Sequence, residues 1–385
     1  MRVAFITSGY PPVSPGGAGR SSKLIVNSIR KQGIETDVFA VTGNKRSITN
    51  QDNQVYQLPG GDAYPIPKAL AENVGTHTHL PNMSKYDIVH VYNVRHLPAC
   101  VLRAESPVLA TFNNYMWVNI NPEQHLREGL PEYNLYTALR YARLRGWKGL
   151  TRLGVEIVGK PLAKQADHYT VQTEGMKKVV ERSGYDARKM SVVGNILDNK
   201  FDVEPKNEKK IVFIGRFRDT KSPDRVIRAY SHLPPELKNE WSLEMYGDGP
   251  MKKDLKKLIK EVGLEGVSLE YCPYDALPEV YKSAGLLIHT STYTEPFSRT
   301  WLEAMASGTP IICSRNPSSR SVLDGIAKFY DPFSDAALAQ TIESTISNPQ
   351  TLHTMSEAGQ EKVKEYTTDR ISKQYISIYE SLRRI

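Results

Sequence analysis

Short apolar runs alternate with helix-spaced patterns along almost the whole chain, and the alternation happens twice. In the first half, residues 3–7, 36–41, 87–92, 108–112, 169–172 and 191–193 read as strands. Residues 22–32 read as a helix closed by Gly33, and 132–166 as a long helical stretch with Leu, Tyr and Val on one side and basic residues on the other. Strands separated by helices pair in parallel, because a parallel partner is reached only by a long crossover. After the polar stretch Lys206-Asn-Glu-Lys-Lys210 the pattern restarts. Residues 211–214, 242–246, 267–270, 286–289 and 310–313 read as strands, and 225–231, 251–262, 277–284, 298–306 and 336–347 as helices. A final helix is expected over 369–383. At 385 residues the chain exceeds one ordinary core, so two α/β domains are expected, 1–204 and 205–368.

Bulk properties exclude several classes. No stretch approaches the roughly 18–20 apolar residues of a membrane span. The N-terminal apolar run is too short for a signal peptide, so a cytoplasmic protein is expected. Cys100, Cys272 and Cys313 lie far apart without a zinc pattern and read as reduced. A net charge of +8 suits acidic partners such as nucleoside diphosphates or anionic lipid. Nucleic acid is not expected, for want of a motif or of interleaved aromatic and basic residues. Arg140, Arg143, Arg145, Lys148, Arg152, Lys160 and Lys164 form a basic segment opposed only by Glu156. It reads as a solvated helix face or as a peripheral contact with an anionic membrane through 140–164.

Several motifs sit where chemistry would be. Gly215-Arg216-Phe-Arg218-Asp-Thr-Lys221 follows the strand 211–214, at the carboxyl end where open α/β sheets bind ligands. A planar guanidinium and an ammonium five residues apart suit a diphosphate, and a basic solvated loop is the plain alternative. Gly247-Asp248-Gly249-Pro250 reads as a tight turn. Glu295-Pro-Phe-Ser-Arg-Thr-Trp-Leu-Glu303 places two carboxylates eight residues apart across what reads as the first turns of a helix. That spacing sets both on roughly the same side, and the helix N-terminus after a buried strand is a ready anion site. Gly16 and Gly17 join the first strand to the first helix, without the dinucleotide spacing. No Asp-x-Asp occurs, and His77-Thr-His79 reads as two solvated histidines in a polar loop. No metal site is therefore expected.

Taken in order, Gly215-Arg216…Lys221, Gly247-Asp248-Gly249-Pro250 and Glu295-Pro-Phe…Glu303-Ala-Met-Ala-Ser-Gly308-Thr-Pro310 resemble the family 4 glycosyltransferases of the GT-B fold. The likeness covers essentially the whole chain and is strongest from about 211 to 315. It implies two Rossmann-like doubly wound domains facing across a cleft. The first would hold the acceptor and the second a nucleotide-sugar, with the helix within 369–385 packing back on the first. Position by position, Arg216 and Lys221 match the pair that grips the donor diphosphate. Glu303 matches the glutamate that meets the ribose hydroxyls, and Glu295 the one beside the donor sugar. Gly215 opens the diphosphate loop, the N–H groups of Phe297, Ser298, Arg299 and Thr300 would meet the distal phosphate, and the loop from Tyr271 to Tyr274 would hold the base. Gly16 and Gly17 match the Gly-Gly that faces the donor.

The chain also departs from the pattern. In Thr111-Phe-Asn113-Asn114-Tyr115, Asn113 stands where relatives carry a histidine. An amide hydrogen-bonds but does not titrate in this range. His90 and His96 lie nearby in sequence as substitutes, although a histidine in an apolar strand reads first as core. Arg315-Asn-Pro-Ser-Ser-Arg320 replaces a Gly-Gly loop and a glutamate. The resemblance implies a hexosyltransferase that retains anomeric configuration, without metal or other cofactor, acting in cell-surface or lipid-linked glycan synthesis. It further implies that Lys221→Ala or Glu295→Ala abolishes transfer with folding intact. A non-catalytic scaffold of the same fold that binds a nucleotide-sugar or a partner, or a sugar phosphorylase or epimerase, are the rival readings.

Overall fold

A computed structural model describes residues 1–12, 16–43, 49–52, 54–60, 68–118, 139, 142–143 and 146–384. The described residues up to Ile196, together with the terminal helix Thr368–Arg383, form one compact unit, and Leu197–Thr367 form the other.

The first unit is built on β1 (Arg2–Thr7), β2 (Glu35–Gly43), β3 (Thr49–Asp52), β4 (Val55–Pro59), β5 (Ile88–Val91), β6 (Val108–Phe112), β7 (His168–Val171) and β8 (Met190–Val192). Their order across the sheet is β3-β4-β2-β1-β5-β6-β7-β8, parallel throughout except for β3 against β4. β1 and β6 are almost continuous apolar runs, as strands covered on both faces must be. Alternate residues serve opposite faces. Ala4, Ile6, Val89, Val91, Ala110 and Phe112 enter one large core. Their neighbours Phe5 and His90 point the other way, to the terminal helix, where Tyr375 and Tyr379 pack on His90. That helix also packs on Gly17–Lys31. The last residues of the chain thus roof a sheet begun by the first.

The second unit carries β9 (Lys210–Ile214), β10 (Ser242–Tyr246), β11 (Ser268–Glu270), β12 (Leu286–His289), β13 (Ile311–Ser314) and β14 (Lys328–Tyr330). All pair in parallel, in the order β11-β10-β9-β12-β13-β14. Counted within the unit this is 3-2-1-4-5-6, the doubly wound Rossmann order, whose direction reverses between β9 and β12. Period-two alternation divides its core into two. Ile211, Phe213, Leu286, Ile288 and Ile312 enter one cluster, and Val212, Ile214, Leu287, Ile311 and Cys313 the other.

Several expectations change. β3 is Thr49-Asn-Gln-Asp52 and carries no apolar alternation; a short polar edge strand needs none. The pair His77 and His79 lies on the helix Lys68–His79, not in a loop. Among the described residues no group of three or more His, Cys, Asp or Glu could hold a metal, and all three cysteines are free. No helix among them is long and apolar enough to cross a membrane. Of the stretch 132–166, Arg140 and Arg145 lie outside the described residues, and the helix runs Gly146–Ala163. Of its charged side chains, the two described are Glu156 and Lys160, and both are buried.

His90 and His96 are core residues. His90 Nδ1 lies 2.6 Å from the Tyr379 hydroxyl and Nε2 2.8 Å from Thr111 Oγ1. His96 Nε2 lies 2.8 Å from Ser8 Oγ. Burial pulls each imidazole down to a pKa of about 3, with Arg95 adding to the effect at His96. In the unfolded chain both titrate near ~6.5. The unfolded state therefore binds protons over a window in which the folded state refuses them. Stability is full above about pH 6.5 and is lost as pH falls towards 3, by about 2 kcal/mol per histidine at pH 5. Urea unfolding at about pH 7.5 and about pH 5 should show this fall. His90→Gln should recover roughly half of the part due to the two histidines; an unchanged midpoint would count against their neutral burial.

Candidate functional site

The reversal of strand order leaves the loops after β9 and β12 to part at the carboxyl edge of the second sheet, and both carry charge there. The β9 loop is held by a glycine turn. Gly215 N–H donates to the Tyr246 carbonyl at 3.0 Å and Phe217 N–H to the Asp248 carbonyl at 2.9 Å. A Cβ on Gly247 would stand 1.9 Å from the Gly215 carbonyl oxygen, and one on Gly249, at φ +155°, 2.4 Å from that of Phe217. Gly247-Asp248-Gly249-Pro250 is thus structural: it lets β10's loop brace β9's. A Cβ on Gly215 itself would meet only the Phe213 ring, at ordinary contact distance.

The two loops are stitched together. Thr290 Oγ1 donates to the carbonyl of Lys221 at 2.7 Å, and the Thr292 N–H donates to that of Thr220 at 3.1 Å. Between them Ser222 adopts φ +44°, a left-handed conformation costly for a residue other than glycine. The strain turns the chain directly into the helix Pro223–Ser231 and leaves Lys221 at the mouth of β12.

There Lys221 meets Glu295. The ammonium pairs with Glu295 Oε1, Ser291 Oγ donates to the same oxygen, and His289 Nε2 lies 3.0 Å away. The Glu295 side chain is 6% exposed and that of Lys221 22%. Burial alone would raise the carboxyl pKa, but Lys221 and then His289 outweigh it and hold Glu295 well below the usual carboxylate range. His289 closes β12 and is fixed by an edge contact with the Trp301 ring at 5.3 Å. The lone polar residue closing the apolar run Leu286-Leu-Ile-His289 was the available signal for it.

Glu295 itself is not helical. It lies in the loop four residues before the helix Arg299–Ala306, so only Glu303 of the two carboxylates rides that helix. Glu303 accepts from the Tyr281 hydroxyl at 3.0 Å and pairs with Arg299, one turn earlier, at 3.3 Å. Burial prevails here, and its pKa is raised despite Arg299. Arg299 also donates to the Tyr274 hydroxyl at 2.6 Å, and Tyr274 in turn donates to Asp198 Oδ2 at 3.3 Å. The Lys200 ammonium lies over the Tyr274 ring at 3.7 Å. The side chains of Arg299, Asp198, Lys200 and Tyr281 are thus parts of the site that sequence spacing did not reveal.

Two predicted residues remain at the open edge. Arg216 is exposed, and no protein group among the described residues bonds its guanidinium. Tyr271 is exposed as well. Phe297 and Ser298 are buried just before the helix Arg299–Ala306, whose first turn holds Thr300 and has no side-chain cap. Gly16, Gly17 and Asn113 belong to the first unit. Gly16 caps the helix Gly17–Lys31, and space is open around it; Val13, Ser14 and Pro15 lie outside the described residues. Asn113 follows β6; its Oδ1 accepts from Asn114 at 3.0 Å, and its Nδ2 is buried with no partner among the described residues.

Residues 15–201 match the family model described as Glycosyltransferase Family 4, and residues 196–362 the one described as Glycosyl transferases group 1. An uncharacterised glycosyltransferase of Methanocaldococcus jannaschii is 23% identical across 98% of this chain and 98% of its own. A D-inositol 3-phosphate glycosyltransferase of Arthrobacter sp. is 23% identical across 93% of this chain and 89% of its own. The solved structure of Anabaena HepE in complex with UDP and glucose superposes with a TM-score of 0.72 at 18% identity, over 99% of this chain and 100% of that one. At that identity the likeness is one of fold.

The buried Lys221–Glu295 pair alters what a single substitution does. Lys221→Ala strands a buried carboxylate and should lower the unfolding free energy by about 3 kcal/mol. Folding is then not left untouched. Combining it with Glu295→Gln should recover much of the loss, a coupling of about 1–3 kcal/mol in urea titrations. Strictly additive losses would show that Lys221 does not hold Glu295.

Proposed function

The chain belongs to the family 4 glycosyltransferases, and from that membership we propose that it moves a hexose from a nucleoside diphosphate donor to a hydroxyl acceptor, retaining configuration at the anomeric carbon. One observation carries the donor reading: the exposed, unpartnered guanidinium of Arg216 stands on the loop that also presents Lys221, at the point where the strand order reverses. A diphosphate supplies the anion this arrangement lacks. Arg216 takes the phosphates, with the N–H groups of residues 297–300 at the uncapped helix N-terminus. Lys221, oriented by Glu295, faces the same charge. Glu303 accepts from the ribose hydroxyls and the loop at Tyr271 and Tyr274 receives the base. The solved complex of HepE with UDP and glucose supports a donor of this class.

In the reaction the bond from the anomeric carbon to the diphosphate oxygen breaks, and negative charge grows on the leaving phosphate. Positioned cations and N–H groups stabilise that charge as it develops, so no metal is needed for it. The acceptor oxygen bonds the anomeric carbon on the face the leaving group vacates, and its proton passes to the departing diphosphate oxygen. Glu295, kept ionised, stabilises positive charge at the anomeric carbon. The acceptor is a cell-surface or lipid-linked glycan, met at an anionic membrane surface through 140–164.

Calorimetric titration with UDP, GDP, ADP and dTDP in excess chelator tests the donor site. One nucleotide should bind, and Arg216→Ala, an exposed change that leaves the fold intact, should lose it. With the matching sugar donor, turnover should fall about 10²–10³-fold in Arg216→Ala. No nucleotide binding would point to an inactive scaffold. Transfer to inorganic phosphate in place of a hydroxyl acceptor would point to a phosphorylase.

A further inference from the structure

Among its described side chains, the helix Gly146–Ala163 buries charge and exposes large apolar groups. Its buried stripe, Gly149, Leu153, Glu156, Lys160 and Ala163, contains an acid and a base. Its open side shows Leu150, Ile157, Trp147 at 78% exposure and Val158 at 66%. A helix on an aqueous surface does the opposite, hiding its apolar stripe and showing its charges. The buried charges are costly, and Lys160 is drawn down to about 8 by burial and then by Lys164, with Glu156 opposing. An outer medium that is hydrocarbon, not water, accounts for this orientation.

Beside the exposed face is a cavity of about 620 Å³, lying between this helix and the helices Lys68–His79 and Leu97–Arg103. Val74, Pro98, Leu102, Val155, Val158 and Leu162 line it. Two of the polar groups in its wall, Asn73 and Thr78, are engaged by the protein itself. Asn73 bonds the Arg95 carbonyl at 2.9 Å and the Ala99 N–H at 3.2 Å, and Thr78 Oγ1 donates to the Val74 carbonyl at 2.8 Å. The rest of the wall is mostly aliphatic, with the Trp117 ring, Thr151 and His77 beside it. Leu70 and Leu102 continue the apolar surface outward, and exposed cations, Arg143 and Lys164, flank the helix at its two ends. Apolar surface with a cation at each end matches a bilayer whose headgroups are anionic.

We propose that this cavity takes the hydrocarbon chain of a membrane lipid, with the helix Gly146–Ala163 lying against the bilayer surface. This deepens the membrane contact proposed above, rests on it, and is independent of the donor site. It turns a diffuse electrostatic contact into a site with a defined occupant.

Gly154 provides the test. It lines the cavity, and nothing lies within 4 Å of where its Cβ would stand. Gly154→Phe therefore fills the space from inside a helix, where replacing glycine favours the fold. The full chain and this variant are titrated calorimetrically with n-alkanols from hexanol to dodecanol. The unmodified protein should bind one equivalent, with affinity rising about fourfold per methylene until the cavity is full. Gly154→Phe should bind dodecanol about tenfold more weakly or not at all, with its melting temperature no lower and its nucleotide binding unchanged. No saturable binding by the unmodified protein, or equal binding by the variant, overturns the proposal. A dimer that Gly154→Phe dissociates would assign the face to a second copy and overturn it too. Equal binding of both proteins to phosphatidylglycerol vesicles, without alkanol uptake, would leave the surface contact standing and remove the chain site.

Discussion

A parallel strand cannot be closed by a hairpin, and the rest of this structure follows from that constraint. All strand pairs among the described residues are parallel except β3 with β4. Apart from the β2-β3-β4 stretch, the chain returns after each strand through a helix, and the parallel strands of a sheet release their loops at one common edge. In the second sheet, loops on either side of the reversal between β9 and β12 lead to helices on opposite faces, and a gap opens where they diverge. Lys221 and Glu295 come from those two loops, 74 residues apart in sequence. The same constraint demands cover on both faces. In the first unit it is met partly by the terminal helix, whose Tyr379 hydroxyl completes the hydrogen bonding of His90.

The two glutamates of the site show how neighbours decide whether burial prevails at a carboxylate. Both are nearly inaccessible, and desolvation raises both. Glu295 has a lysine and a histidine on one oxygen, which more than offset the loss of water. Glu303 has one arginine, which it shares with Tyr274, and its pKa is raised. The first is locked as an anion at the strand edge; the second is held by a network that runs on through Tyr274 to Asp198. Arg216, outside both networks, keeps its charge unspent at the open edge.

The helix Gly146–Ala163 obeys a different logic. Glu156 and Lys160 fall on the stripe that turns towards the body of the unit, while Trp147, Leu150, Ile157 and Val158 fall on the other. Gly159 lets the helix approach closely: a Cβ there would stand 2.3 Å from the Trp117 ring. Composition alone, rich in Lys and Arg through this stretch, suggests a basic face. Among the described side chains, the rotation imposed by packing buries Lys160 with Glu156 and leaves Trp147, Leu150, Ile157 and Val158 exposed.

The sequence by itself determined the fold class, most strand and helix positions, and the order of the motifs, because buried parallel strands need continuous apolar runs and those runs are visible as such. It also singled out Gly215, Arg216, Lys221, Glu295 and Glu303, whose types and spacing follow strands directly. It did not reveal β3, whose polar sequence Thr49-Asn-Gln-Asp52 carries no apolar pattern, nor that Glu295 precedes its helix instead of riding it, since helix starts depend on local turns that spacing does not specify. Only the tertiary structure decided which charges meet: Lys221 with Glu295 and His289, Arg299 with Glu303 and Tyr274, His90 with Tyr379. These are contacts between residues distant in the chain or hidden by helix rotation. Their energies depend on mutual distance and burial, quantities that a linear string does not carry and that packing alone supplies.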